Sequence, residues 1–107
     1  PENDNQLIVR IQTYIDEHYG DPSLCLSRIS DLFHISESYF SFLFKKTVGV
    51  NFSTYLEQVR MTQAKHLLET TNIKITDLYV AVGYNNLTSF RRAFKKKYGV
   101  APNAIRE

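Results

Sequence analysis

A chain of 107 residues is one domain's worth, or two small lobes on a shared linker, and is long enough to bury a core without staples. With 43% hydrophobic, 22% charged and 13% aromatic residues, four Gly, three Pro and one Cys, it is neither disordered nor low-complexity, and Cys25 alone allows no internal disulfide and no four-thiolate metal site. The net charge of +2 hides a segregation: residues 1–37 hold seven acids against two bases, and residues 38–107 hold eleven bases against four acids.

In chain order, residues 1–6 are polar and read as a frayed lead-in. Leu7, Ile8, Ile11, Tyr14, Ile15 and Tyr19 then follow the spacing of three and four that an amphipathic helix requires, and Gly20 with Asp21-Pro22-Ser23 ends it. Leu26, Ile29, Leu32 and Phe33 predict a short second helix closing at His34-Ile35. A third helix, capped by Ser36 or Ser38, runs to about Val48 and stops at Gly49. Asn51, or Thr54 with Glu57 as a capping box, starts a fourth, whose stripe is Phe52, Tyr55, Leu56, Val59, Leu67 and Leu68. At ~18 residues it is ~27 Å long. A fifth spans about Ile75 to Val82 before Gly83, and a sixth about Asn86 to Tyr98 before Gly99. Pro102 opens a short last one. No alternation is sustained, so the predicted class is all-α, divided into a lead-in (1–6), a first subdomain (7–50), a connecting helix (51–71) and a second subdomain (72–107).

The third and sixth helices repeat at an offset of 50. Phe40, Phe44, Lys45, Lys46, Gly49 and Val50 match Phe90, Phe94, Lys95, Lys96, Gly99 and Val100. Upstream the offset is 49, aligning Ile29, Phe33 and Ile35 with Leu78, Val82 and Tyr84. Each copy is a short helix, a tight turn, and a longer helix ending in bases and Gly, which is a duplicated helix-turn-helix.

A helical wheel then separates core from surface. Phe40, Leu43, Phe44 and Thr47 share one face of the third helix; Ser38, Ser41, Phe42 and Lys45 share the other. In the sixth, Phe90, Ala93 and Phe94 point inward, while Thr88, Arg91, Arg92 and Lys95 point out, and Leu87 at the start of the helix is a further base-facing candidate. Short hydroxyls and arginines on an exposed helix reach base edges in a major groove, and either Arg91 or Arg92 matches O6 and N7 of guanine with its forked donors. Lys45, Lys46, Lys95 and Lys96 are phosphate candidates, and Ser36 and Asn86 are helix caps first and phosphate contacts second. A basic run is equally the solvated face of a helix; here repeat, charge and wheel agree on double-stranded DNA as the partner.

Tyr39 to Lys46 (YFSFLFKK), Gly49, Tyr55-Leu56, Arg60, Ala64, Leu67-Leu68, Val82-Gly83-Tyr84, Phe90, Phe94-Lys95-Lys96, Gly99 and Pro102 together resemble the DNA-binding domain of AraC/XylS-type transcription regulators over about residues 7–106. The resemblance implies seven helices, two helix-turn-helix subdomains joined by a rigid connecting helix, and recognition helices three and six set to enter successive major grooves. It also implies a bacterial cytoplasmic regulator with a separate sensing or receiver region outside this chain, which opens on Pro and has Met61 as its one Met. The pattern is similar to members that follow a receiver or a membrane-anchored sensor. Three positions depart from the family. Phe42 stands where a base-contacting Arg is usual, so it either packs on thymine methyls or forms a protein-contact patch. Tyr79 replaces a small Ala, so the packing adjusts or the ring turns outward. Ile105 replaces an aromatic.

Arg60, in mid-linker, is expected to make a structural ion pair or a phosphate contact. His18, His34 and His66 lack ligand spacing, Cys25 reads as a packed small hydrophobe, and Tyr14, Tyr19 and Tyr98 as core or rim residues. There is no phosphate loop, nucleophile motif or HExxH, so neither an enzyme, a cofactor nor a metal is expected. The alternative reading is a protein-interaction module docking on an acidic partner such as RNA polymerase.

Overall fold

The computed structural model describes residues 2–106, and among them the regular structure is entirely helical: α1 Asp4–His18, α2 Leu26–Leu32, α3 Glu37–Val48, α4 Phe52–Thr70, α5 Ile75–Ala81, α6 Leu87–Tyr98 and α7 Pro102–Arg106. The chain groups into two compact units. One takes the chain up to Tyr19 together with Ser23–Leu56; the other takes Gly20–Pro22 and the chain from Glu57 onward.

α1 corrects the expected lead-in. Asn3 caps it by accepting from the Gln6 backbone N–H at 2.9 Å, while the Gln6 side chain accepts from the Asn3 N–H at 3.0 Å, so Asp4, Asn5 and Gln6 are helical. This reciprocal cap satisfies two end donors, and its Asn/Gln form is easily passed over when no apolar residue precedes Leu7. Ser36 caps α3 through its hydroxyl oxygen on the Tyr39 N–H (3.1 Å), leaving Ser38 inside the helix. Asn51 does the same for α4 on the Thr54 N–H (2.8 Å).

In the first unit Ile8, Ile11 and Ile15 of α1 pack with Ile29, Phe40, Leu43, Phe44, Phe52 and Leu56. Phe44 meets Phe40, Phe52 and Tyr55 edge-on at centroid distances of 5.6, 6.3 and 5.3 Å. Thr47, expected on this inward face, is exposed: Phe44 closes the core, and Val48 packs against it in the last turn. Two phenols tie α1 down, Tyr39 Oη donating to Asp4 Oδ1 (2.7 Å) and Tyr55 Oη to Asp16 Oδ1 (3.1 Å).

The second unit is built on Met61, Ala64, Leu68, Leu78, Val82, Phe90, Ala93, Phe94 and Pro102. Met61 and Ala64 were not in the predicted stripe. At 100° per residue they lie about 180° and 120° around α4 from Phe52, so the buried track changes face along the helix. α4 ends under Arg106 of α7, whose guanidinium donates to three of its terminal or following carbonyls: Leu68 (3.2 Å), Thr71 (2.9 Å) and Ile73. The Leu68 carbonyl is one of the orphan acceptors at the helix end, and those of Thr71 and Ile73 belong to the segment that follows it. Tyr79, the outsized residue in α5, is half-buried. Ile105 is half-buried.

Gly20 has no room for a side chain, because a Cβ there lies 2.8 Å from the Ala81 carbonyl oxygen. Gly20→Ala is therefore expected to lower the stability of the second unit by about 1–3 kcal/mol, the usual cost of overpacking, read as a reduced denaturant midpoint. An alkaline test addresses the first unit. Burial, then the Asp16 carboxylate, push the Tyr55 phenol up to about 12. An acid whose folded pKa exceeds its unfolded value of about 10 stabilises the fold below that value, and the contribution is lost as pH rises from about 10 to 12. Unfolding midpoints across that window should fall less steeply in Tyr55→Phe than in the unaltered chain.

Candidate nucleic-acid interface

The two units contain the same local device. α2 and α5 are both seven residues long, α3 and α6 both twelve, and the starts are offset by 49 and 50 residues. In the turns the Ile35 N–H donates to the Ser30 carbonyl (3.1 Å) and the Tyr84 N–H to the Tyr79 carbonyl (2.9 Å). That hydrogen bond needs one left-handed residue before it. The second copy uses Gly83 (φ 96°), at little cost, and the first uses His34 (φ 57°), a residue type that tolerates this region better than most.

The roll of each longer helix follows from its buried rings. Phe40 and Phe44 in α3, and Phe90 and Phe94 in α6, are each 0% exposed. With these inward, Ser38, Ser41, Phe42, Lys45 and Lys46 are exposed on α3, and Thr88, Arg91, Arg92, Lys95 and Lys96 on α6. Leu87, the first residue of α6, is half-buried and presents less surface than a base-facing role asks for. Ser36 and Asn86 are occupied as caps, Asn86 Oδ1 accepting from the Ser89 N–H at 3.0 Å. A cap uses the side-chain oxygen as acceptor, so the Ser36 hydroxyl hydrogen and the Asn86 amide hydrogens stay available to an anion.

The electrostatics differ between the two faces. On α6 Arg91, Arg92, Lys95, Lys96 and Lys97 fall within seven residues, with the Glu57 carboxylate 3.8 Å from the Lys96 ammonium. On α3 the cations are Lys45 and Lys46, and the Lys46 Nζ stands 5.7 Å above the Phe42 ring. The α3 face carries no guanidinium.

Arg60 has a structural position. It is half-buried, its Nη2 donates to the Asp21 carbonyl at 3.0 Å, and its guanidinium lies 5.7 Å from the Tyr84 ring. Burial lowers its pKa, opposed by Tyr84 and Asp21. The same burial raises the Tyr84 phenol. Arg106, which sequence reasoning passed over, is likewise committed to backbone carbonyls. No pattern marks such a cation, because its partners are main-chain atoms far away in sequence.

Cys25 is exposed and not packed. It precedes α2 in an extended conformation, which projects Sγ toward solvent, 3.3 Å from Ser27 Oγ; that hydroxyl is the main cause of its lowered pKa. His18 stacks on Tyr14 at 4.0 Å. Among the described residues no group of three or more His, Cys, Asp or Glu is placed to hold a metal, and no helix is long and apolar enough to cross a membrane.

A family model described as a helix-turn-helix domain matches residues 29–107. Over 106 residues the chain is 32% identical to the arabinose operon regulatory protein of Escherichia coli strain K12, covering 99% of this chain and 36% of that protein. The C-terminal domain of AraT, a response regulator from Geobacillus stearothermophilus, superposes with a TM-score of 0.91 at 33% identity, covering 94% of this chain and 83% of that one. The C-terminal domain of the two-component response regulator yesN from Fusobacterium nucleatum gives a TM-score of 0.88 at 40% identity, covering 91% and 94%. The chain spans between 12% and 49% of the length of curated relatives such as these.

Arg60→Ala should lower stability by about 2 kcal/mol in chemical denaturation, because it removes a charged donor from a part-buried carbonyl. The slope of log Kd against log salt on a DNA duplex should stay unchanged; a slope smaller by about one would make Arg60 a phosphate contact.

Proposed function

Since the chain belongs to the AraC/XylS-type family, the helix-turn-helix DNA-binding domains of transcription regulators, we propose that it binds double-stranded DNA sequence-specifically, with α3 and α6 entering successive major grooves. The observation that carries this reading is the outer face of α6. Arg91, Arg92 and Lys95 stand exposed on a helix whose roll is set by two fully buried rings, so the cations are held at defined angles. In this arrangement Arg91 or Arg92 forks onto guanine O6 and N7, and Thr88 sits at the groove-facing start of the helix, with half-buried Leu87 offering at most its edge. Lys95 and Lys96, with the Asn86 amide, hold phosphates and set register without reading sequence. On α3, Ser38, Ser41 and Phe42 face the bases, and Ser36, Lys45 and Lys46 the backbone.

The identities to response-regulator domains support placing the chain in a longer bacterial cytoplasmic protein with a receiver or sensor region, either soluble or membrane-anchored. A second reading rests on Phe42, which is 64% exposed: a protein-docking face for an acidic partner such as RNA polymerase. A DNA reader shows both a salt slope and a sequence preference, and a docking module shows neither.

Selection from a randomised duplex library at near-physiological salt separates the two. Two enriched blocks about ten base pairs apart are expected, one of them containing guanine. Arg92→Ala should then cost about 1–3 kcal/mol on the selected duplex and less on random DNA. Equal losses on both would reassign Arg92 to a phosphate, and no enrichment by a folded chain would favour the docking module.

A further inference from the structure

Superposing the two copies in sequence places Ser38 with Thr88, Ser41 with Arg91, Phe42 with Arg92, Lys45 with Lys95 and Lys46 with Lys96. The phosphate-type positions are therefore alike in α3 and α6, while the central reading position changes from a forked donor to a phenyl ring. Phe42 contributes nothing to the core of its unit, which Phe40, Leu43 and Phe44 complete, and it stays 64% exposed. Its ring borders a shallow depression of about 390 Å³ shared with Ser41, Lys45 and Lys46. An apolar floor between two ammonium groups complements an apolar group flanked by anions.

Among the groups that base pairs present in the major groove, all are hydrogen-bond donors or acceptors except one, the 5-methyl of thymine. A phenyl ring on a groove-facing helix has no other specific partner there. We propose that Phe42 reads a thymine 5-methyl group, so that the bipartite site pairs a thymine-specified block under α3 with a guanine-specified block under α6. The two copies thus share one docking geometry and differ in the chemistry of the base they select. This inference rests on the DNA-reading function above.

The test uses the 107-residue chain and the duplex selected for it. Each thymine of the α3 block is replaced in turn by deoxyuridine, which removes the methyl and keeps every hydrogen bond. One substitution should weaken binding about fourfold, the worth of one buried methyl group. Phe42→Ala should bind the thymine duplex about fourfold more weakly and no longer distinguish it from the deoxyuridine duplex, with its helical circular dichroism unchanged. Phe42→Leu, which keeps an apolar end, should retain the discrimination. Equal binding of thymine and deoxyuridine by the unaltered chain, or thymine preference surviving in Phe42→Ala, overturns the proposal. A selected α3 block without thymine overturns it while leaving the DNA-reading function standing; no sequence preference at all removes both.

Discussion

Everything that faces outward in this chain depends on pairs of phenylalanines four residues apart. Phe40 and Phe44 in α3, like Phe90 and Phe94 in α6, sit one above the other on the helix and are wholly withdrawn from water. Rolling either helix by one residue, about 100°, would bring a ring into solvent at a cost of about 2 kcal/mol or more. The positions two residues beyond the first ring, Phe42 and Arg92, consequently have only one direction to point. Packing inside each unit thereby acts as the aiming device for chemistry outside it.

The duplication shows which features that device needs and which it leaves free. Helix lengths, caps, the left-handed turn residue and the ring pairs are kept, though by different means. Ser36 and Asn86 accept the same kind of N–H, and His34 and Gly83 occupy the same region of backbone space. Among the outer side chains the lysines of the last turn are kept, Lys45 and Lys46 matching Lys95 and Lys96, whereas Ser41 and Phe42 give way to Arg91 and Arg92, positions on which the core places no demand. Even the small residue inside the unit is negotiable: Ser30 is buried, and its counterpart Tyr79 is half-buried.

Charge also needs to be sorted by what it touches. Of the bases in the second part of the chain, Arg60 and Arg106 are held by backbone carbonyls of the Asp21 turn and of the end of α4. They support the fold that presents the other cations. Arg91, Arg92, Lys95 and Lys96 remain exposed on α6 and keep the long-range field that a polyanion would feel. A count of bases along the sequence merges these two groups.

The sequence by itself determined the number of helices, their order, the repeat and the inward rings, because helical periodicity and glycine stops are local properties written within a few residues of each other. It also determined most of the outward set on α3 and α6, since an inward seam of known phase leaves only one other face; Leu87, expected outward, is half-buried, and Thr47, expected inward, is exposed. Tertiary structure decided the remainder. The start of α1 turned on the Asn3 and Gln6 cap, the last-turn position of Thr47 on where the core ends, and the exposure of Cys25 on the conformation before α2. Met61 and Ala64 were buried by a change of face within one helix, which no single stripe describes. Arg60 and Arg106 found partners 39 and 33 to 38 residues away. Contacts of that separation depend on where the folded chain brings backbone carbonyls, and a local pattern carries no record of that.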